Sequence, residues 1–386
     1  MPITAYSREA RRELDLEQWL ALNAYQAKDD PELVNMPPDV RAKAASDIEC
    51  SCCGAQGARL VRGARSKSTG KAIAQGHFRF RTADGANPHS PLCDYFDEQK
   101  IRGAEYRTDF GSDKTALTRA TWRCITIRDL VCHGITAGLF SQSDMRDMRL
   151  WFLREKEAHA ITLDVTTELL EWCVDMQATR AWTPGNLPFT PEHGALPGFD
   201  WDAAAKAEWA RRNEHLFSVG VPWAFRRQSI ERPLRLLVQY AGEVVLDPSC
   251  LQDKYEAACK LSSFAATHLF GPGTKPPAIV HKHPTDWGPM GPALLALSAL
   301  LLYKSDWDLQ RASALYCRLK ILPPLPNGLD GNLMGLNPFH DYPAWQVINS
   351  ARRVAEARTD ARPVQQQVAG VKHELELRYS EWLAKQ

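Results

Sequence analysis

The stretch ECSCCGAQG, Glu49 to Gly57, places three cysteines within four positions. Cys50 and Cys53 form a C-x2-C pair, which is followed at once by Gly54. Two thiolates at this spacing can bind one Zn²⁺ from a tight turn, and the glycine relieves the backbone directly after it. We therefore expect this turn to supply half of a zinc site. Cys52 is not expected to be a ligand, because C-x2-C closes around a metal better than adjacent thiols do.

The other half of the site must come from downstream, where the candidates are His77, His89 and Cys93. The expected ligands are Cys50, Cys53, His77 and Cys93, with His89 as the alternative to His77. His89 and Cys93 are spaced H-x3-C, which suits one turn of chain around a metal. Four protein ligands close the coordination shell, so the Zn²⁺ would be structural and not catalytic. The competing interpretation is a set of unligated cysteines and histidines on a polar loop.

A basic hairpin is predicted between the two halves of this site. ARLVRGA and GHFRFRT alternate like two short strands, with RSKSTGKAIAQ as the loop between them. No acidic residue interrupts this segment, and its positive charges would attract phosphates by counterion release. Phe78 and Phe80 either stack on bases or pack the small core of the module. The candidate nucleic-acid-binding residues are Arg59, Arg62, Arg65, Lys67, Lys71, Arg79 and Arg81.

The segment from Cys50 to Cys93 resembles the N-terminal zinc finger of CoiA-like competence proteins. Both have C-x2-C-G, a strand with a basic residue, a loop and a strand with His-Phe, here His77 and Phe78. The family commonly has a second histidine three positions after the first, where this chain has Phe80. The resemblance implies a prokaryotic protein that handles DNA in the cytoplasm. It does not extend to the nuclease domains associated with that family.

Bulk properties limit the remaining possibilities. A chain of 386 residues with 44% apolar residues suggests two or three domains with sizeable cores. The formal charge of +1 means that nucleic-acid affinity must come from local patches. The N-terminus, MPITAYSREARRELDLEQ, has no apolar signal-peptide core, and ALLALSALLLY (293–303) is too short to span a bilayer. We therefore expect a cytoplasmic protein without a membrane partner, whose ten cysteines form no disulfide framework.

The predicted fold is mainly α with a small β-hairpin zinc-finger module, an α+β arrangement. The predicted domains are an N-terminal helical segment (1–46), the zinc module (47–100), a helical region (101–180) and a mainly helical C-terminal body (181–386). Strands are expected at ITLDV, at LRLLVQY paired with EVVLD, and at PAIVHKH. Apolar spacing and caps predict helices over about 7–28, 39–45, 112–134, 141–158, 164–177, 200–217, 252–269, 291–303, 307–322, 343–358 and 364–384.

These features favour a non-enzymatic protein that binds DNA or RNA, alone or as a subunit of a complex. Such parts would fit a role in bacterial DNA uptake, in mobile elements or in anti-phage defence. One alternative is a metal-dependent nuclease with dispersed carboxylates; EVVLDPS supplies Asp247, but no E-x-K-like partner strand is visible. Another is a protein-interaction scaffold with a zinc-pinned loop. A zinc-finger subunit of an RNA-guided, CRISPR-like effector is a further variant.

Overall fold

The chain divides into two compact units, each built from two segments. Unit 1 comprises Met1–His159 and Cys250–His340, and unit 2 comprises Ala160–Ser249 and Asp341–Gln386. The computed structural model describes residues 4–26, 30, 33–62, 64–65, 68, 72–74, 76–82, 84–93, 121–180, 187–219, 225–227, 229–269, 290–323 and 337–386.

Unit 1 begins with a small antiparallel sheet. Strands β1 (Thr4–Ser7) and β2 (Arg12–Asp15) form a hairpin, and β3 (Ile48–Glu49) pairs with the other edge of β1. A helix from residue 7 was predicted, and this prediction is wrong: helix α1 covers only Leu16–Leu22. Ala5, Tyr6 and Ser7 are all buried in β1 and Leu14 is buried in β2, while Arg11 lies in the turn between the strands with a φ of 52°.

One buried carboxylate ties this sheet to the helices beside it. Helix α2 (Pro38–Asp47) ends at Asp47, whose carboxylate accepts three hydrogen bonds. The donors are the Ser7 hydroxyl at 2.8 Å, the Glu9 backbone N–H at 2.8 Å and the indole N–H of Trp19 at 2.7 Å. Because the donors come from β1, the turn after it and α1, Asp47 connects the end of α2 to residues 28 to 40 positions earlier in the chain.

The predicted basic hairpin is present. Strand β4 (Ala58–Val61) is separated from β7 (His77–Phe80) by a second pair, β5 (Ala64–Arg65) and β6 (Ala72–Ala74). In the antiparallel register of β4 and β7, Ala58 lies opposite Phe80 and Val61 lies opposite His77. Phe78 is fully buried, and its ring meets the edge of Trp19 at 6.2 Å.

The rest of the described chain is mainly helical, as predicted. Strands β8 (Ala160–Thr162) and β9 (Val244–Leu246) form a third antiparallel pair. The helices, in chain order, are α3 (Thr121–Thr136), α4 (Gln142–Ala158), α5 (Thr167–Arg180), α6 (Trp201–Arg212), α7 (Glu214–Val219), α8 (Glu231–Tyr240), α9 (Gln252–His268), α10 (Met290–Lys304), α11 (Leu309–Lys320), α12 (Tyr342–Ala357) and α13 (Val364–Leu383).

Helix α10 is the central helix of the unit 1 bundle. It carries the apolar run singled out in the sequence, and residues 293–302 are all at most 3% exposed. A helix that is apolar all round must be surrounded by other elements, and α10 packs against α3, α4, α9 and α11. Inside this core, the hydroxyl of Ser262 in α9 donates a hydrogen bond to the hydroxyl of Ser298 in α10 at 2.9 Å.

Unit 2 has a helical core, to which the β8–β9 pair contributes the buried Val245 and the partly buried Ile161. The strand predicted at LRLLVQY is instead part of α8, whereas EVVLD supplies β9 and ITLDV lies at β8. Pro233, Leu236 and Leu237 are buried along one side of α8, while Val238 is 74% exposed. This helical stripe explains the difference, because β pairing would have put neighbouring leucines on opposite faces. The strand predicted at PAIVHKH lies outside the described residues.

Candidate metal centre

The first half of the candidate site is a tight turn directly after β3. The Gly54 N–H donates to the Cys50 carbonyl at 2.9 Å, and the Cys50 N–H donates to the Ala55 carbonyl at 2.8 Å. Gly54 has a φ of 71°, a conformation that glycine adopts without steric cost. The Cys52 N–H donates to the Cys50 sulfur at 3.4 Å, so the backbone already provides a donor to one ligand atom.

Gly57 is required where this turn meets the β-hairpin. Its φ is 84°, and a Cβ at this position would lie 2.8 Å from the Arg81 carbonyl oxygen. The close approach brings the start of β4 beside the chain that leaves β7, and the Arg81 N–H donates to the Gly57 carbonyl at 3.3 Å. A glycine here therefore allows the two halves of the site to approach each other.

The second half lies in the segment that follows β7. The His89 N–H is bound by the Asn87 side-chain oxygen at 3.1 Å, and the Cys93 N–H donates to the Ser90 carbonyl at 2.9 Å. The imidazole of His89 stands at 72° to the ring of Phe80, with centroids 5.2 Å apart. These contacts hold both side chains in a buried position: His89 is 9% exposed and Cys93 is 5% exposed.

Four ligand atoms converge at this point. The sulfurs of Cys50, Cys53 and Cys93 and one ring nitrogen of His89 all lie within 4.8 Å of one another. Cys50 Sγ and Cys93 Sγ are 3.9 Å apart, and His89 Nδ1 is 3.3 Å from Cys53 Sγ and 3.6 Å from Cys93 Sγ. A tetrahedral zinc ion with its usual bond lengths separates two sulfurs by about 3.8 Å and sulfur from nitrogen by about 3.5 Å. The arrangement thus matches the ligand spacing of such an ion.

Without a cation, three sulfurs this close share their protons unequally. Burial raises the pKa of Cys50, and hydrogen bonds to Cys50 and the other thiols raise the pKa of Cys93. Hydrogen bonds from Cys50 and Cys93 outweigh burial and lower the pKa of Cys53. A divalent cation would replace the thiol protons, because metal ligands must be deprotonated. The donor set of three sulfurs and one imidazole suits zinc.

The structure brings together three of the four expected ligands and adds the alternative one. His89, and not His77, belongs to the group with the three cysteines. His77 is half-buried at the start of β7, directly opposite Val61. Cys52 is buried at 6% exposure but lies outside the group of four. Of the two histidine candidates, the one in the H-x3-C spacing with Cys93 therefore approaches the thiols.

Helix α4 holds both halves of the site, a relationship that the sequence did not reveal. Arg146 forms an ion pair with Glu49, immediately before the C-x2-C turn, and its guanidinium lies 4.5 Å from the ring centre of Tyr6. On the other side, the Ser90 hydroxyl donates to the Glu157 carboxylate at 2.9 Å. The Lys156 ammonium donates to the Leu92 carbonyl at 3.3 Å. The candidate centre is thus part of unit 1 and is attached to its helices.

The basic residues of the hairpin are divided between described and undescribed positions. Arg59 and Arg79 lie directly opposite each other on β4 and β7, and both are exposed. Arg59 also donates to the Thr82 carbonyl at 3.2 Å. Arg62 is exposed and Arg81 is half-buried; only the backbone of Arg65 is described, in β5, and Lys67 and Lys71 lie outside the described residues.

The opposite face of the hairpin is part of the core. Phe78 and Phe80 are 0% and 3% exposed, and they pack with Ala58 and Trp19. Buried rings cannot stack on bases, so of the two sequence interpretations the core-packing one is correct for both phenylalanines. The hairpin therefore has one buried aromatic face and one solvent-facing arginine face.

Asp247, the carboxylate considered for a nuclease, is engaged within unit 2. It accepts hydrogen bonds from the Ser249 backbone and hydroxyl at 2.9 and 2.6 Å and pairs with Arg352 at 3.0 Å. Burial raises the pKa of Asp247, but these hydrogen bonds outweigh it and leave the pKa below its ordinary value. These contacts give Asp247 a structural role within unit 2.

In the part of the chain that the structure describes, no helix is long and apolar enough to cross a membrane. No protein-family model matches the chain, and neither the curated proteins nor the solved structures provide a match.

Proposed function

We propose that this chain is a nucleic-acid-binding protein in which a structural Zn²⁺ is held by Cys50, Cys53, His89 and Cys93. The observation that carries the proposal is the convergence of these four ligand atoms at tetrahedral spacing. The ligands are all protein side chains, so no coordination position is left for a substrate. Three of them are at most 9% exposed, which fits a metal that stabilises the fold.

The arginine face of the hairpin supports the choice of nucleic acid as the partner. Arg59 and Arg79 project from the same face of neighbouring strands, whose other face is fixed in the core. Guanidinium groups bind phosphate oxygens in a bidentate manner, and a rigid strand pair loses little entropy on binding. Phosphate contacts carry no base information, so we propose affinity for the polymer backbone, strong at low salt. The resemblance of residues 50–93 to a CoiA-like finger supports DNA as the first polymer to test.

The test measures fluorescence anisotropy of labelled single-stranded DNA, duplex DNA and RNA over a range of salt concentrations. Reversing two charges with Arg59→Glu and Arg79→Glu should weaken binding by at least about tenfold and reduce the salt dependence by about one ion per lost phosphate contact. The matched control reverses two exposed arginines of unit 2, Arg235→Glu and Arg353→Glu, and changes the net charge equally.

Equal losses in the two double variants would show that only net charge matters, and the proposed surface would be rejected. Absence of binding by the unmodified protein at low salt would reject the nucleic-acid proposal itself. The metal part is tested separately, by measuring the zinc content of protein purified without chelators. A metal-free protein with a folded hairpin would overturn that part.

A further inference from the structure

A second group of metal-ligand side chains lies in unit 1 and shares no residue with the first. Glu155 is in the last turn of α4, His159 caps that helix, and Cys250 lies in the short 3-10 turn that precedes α9. One ligand atom from each side chain lies within 4.8 Å of the other two. Glu155 Oε2 and His159 Nε2 are 3.9 Å apart.

These three groups differ chemically from a chance cluster of surface acids. A carboxylate, an imidazole and a thiolate are each ligands of zinc, and i, i+4 spacing puts Glu155 and His159 on one helix face. An ordinary surface ion pair would account for those two residues. It would not account for the thiol of Cys250, which the chain brings to the same point after the whole of residues 160–249.

The ends of two helices favour a bound cation and a thiolate at this group. The C-terminal carbonyls of α4 carry partial negative charge and stabilise a cation beside Glu155 and His159. The turn containing Cys250 leads into the N-terminus of the 17-residue helix α9, where partial positive charge stabilises a thiolate. The two helix dipoles thus favour a bound cation beside Glu155 and His159 and the thiolate form of Cys250.

This second group is open where the first one is closed. The side chain of His159 is 48% exposed and that of Glu155 is 23% exposed. With three protein ligands, a zinc-type ion retains a fourth position for water or an anion. Exposure and the smaller number of ligands both predict that the metal binds more weakly and exchanges faster here than in the buried group.

We propose that Glu155, His159 and Cys250 form a second, exchangeable site for a divalent zinc-type cation, with its fourth position open to solvent. The site is independent of the nucleic-acid proposal, and it uses none of the same residues. Its ligands lie at the two points where the chain leaves unit 1 and returns to it. An exogenous anion, such as a phosphate oxygen, is the chemical class of ligand that the open position would accept.

The test counts bound Zn²⁺ and records Co²⁺ spectra of the full chain. The unmodified protein should bind a second equivalent that a mild chelator removes first, whereas Cys250→Ser and His159→Gln should lose only that equivalent. Cys317→Ser and His268→Gln are matched controls, because both residues are exposed in unit 1 and lie outside the group. Co²⁺ bound at the second site should show charge transfer from one thiolate, compared with three at the first.

A Cys250→Ser protein with the same stoichiometry and Co²⁺ spectrum as the controls would overturn the proposal. If that variant does not fold, His159→Gln decides the question, because an exposed imidazole is replaced without disturbing a core. A Cys50→Ser, Cys53→Ser double variant separates this proposal from the first one. It should lose the three-thiolate spectrum and keep the one-thiolate spectrum; loss of both would count against a second site.

Discussion

The N-terminal region of unit 1 and the core of unit 2 are stabilised in different ways. The N-terminal region, residues 4–93, contains strands of two to four residues, and its buried set mixes apolar side chains with Asp47, Glu49, His89 and cysteines. Unit 2 buries broad faces of long helices around Trp172 and Trp209. Short strands supply few hydrogen bonds and little apolar area, so the first region depends on specific polar partners. The second depends on burial of apolar surface.

The largest expected effect is on the candidate metal centre. Cys53→Ser, or removal of metal by a strong chelator, should abolish hydrogen-exchange protection of β3, β4 and β7. Structural zinc contributes about 10–16 kcal/mol of apparent binding energy to isolated zinc fingers, more than any single side chain supplies. Protection of α12 and α13 in unit 2 should not change, because their core contains none of the ligands.

Cys52→Ser is the control for this experiment, since Cys52 is also buried but lies outside the group of four. It should retain both metal and protection. Equal losses in the Cys52 and Cys53 variants would mean that the thiols matter for packing and not for coordination.

A core substitution in unit 2 should have the next largest effect. Trp209 is 2% exposed, its indole N–H donates to the Gln367 side chain at 2.9 Å, and its ring meets Trp172 and Phe217 edge-on. Trp209→Ala should destabilise unit 2 by about 3–5 kcal/mol in denaturant unfolding, because it leaves a large cavity. The metal content should stay the same.

The control is Trp382→Ala, near the end of α13, where the half-buried ring stacks only on Tyr379 among the aromatic contacts described. This substitution should lower the unfolding free energy of unit 2 by less than about 1.5 kcal/mol. A loss of metal in the Trp209 variant would contradict the view that the two regions are stabilised separately.

A smaller and pH-dependent effect is expected at Asp47. Burial alone would raise the pKa of this carboxyl, but hydrogen bonds from Glu9, Trp19 and Ser7 outweigh burial and lower it. A pKa depressed by folding means that the stabilisation is present above the unfolded value of roughly 3.9 and is lost as pH falls through the folded value. Asp47→Asn presents an amide to these donors and should cost about 1–3 kcal/mol at neutral pH.

The measurement is the unfolding free energy of unit 1 as a function of pH. The difference between the unmodified protein and Asp47→Asn should shrink as the solution is acidified below about pH 4. Asp164→Asn, at an exposed position of unit 2, should stay within about 0.5 kcal/mol throughout. A difference that does not vary with pH would exclude the ionised carboxylate as its source.

The smallest effect predicted concerns the cap of α4, the helix that contacts both halves of the candidate metal centre. The Asp144 N–H donates to the Ser141 hydroxyl at 3.1 Å, and the Ser141 N–H donates to the Asp144 carboxylate at 2.7 Å. Ser141→Ala should cost about 1 kcal/mol in unit 1, measured by thermal unfolding. Ser143→Ala lies inside the helix and should be nearly neutral or stabilising; the reverse ranking would show that the cap is not Ser141.

Local signals predicted much of the fold. Helices α4, α9, α10, α12 and α13 appear where apolar spacing placed them. The hairpin of β4 and β7 was also predicted, because its alternation is uninterrupted. In each case the deciding contacts lie within one element or between neighbours.

The structure differs from the sequence predictions where contacts between residues distant in sequence determine the fold. The N-terminal hairpin forms because Ser7 and Glu9 find Asp47, some forty positions later, and no local pattern reveals that partner. His77 and His89 are equal candidates by residue type, and only the path of the chain after β7 brings His89 to the thiols. The contacts of Arg146 and Glu157 with the site also join residues far apart in sequence.

The interleaved segments of the two units have a consequence for synthesis on the ribosome. Residues 50–93 emerge early, so the four side chains of the candidate metal centre are synthesised while most of the polypeptide is still untranslated. Helix α4 follows, yet its neighbour α10 is delivered only after the entire 160–249 stretch, a delay of several seconds or more at about 5–20 residues per second. During that interval Trp151 of α4 is already synthesised, but Tyr303, the α10 residue whose ring it contacts, is not. Chaperone occupancy should therefore peak before translation reaches α10.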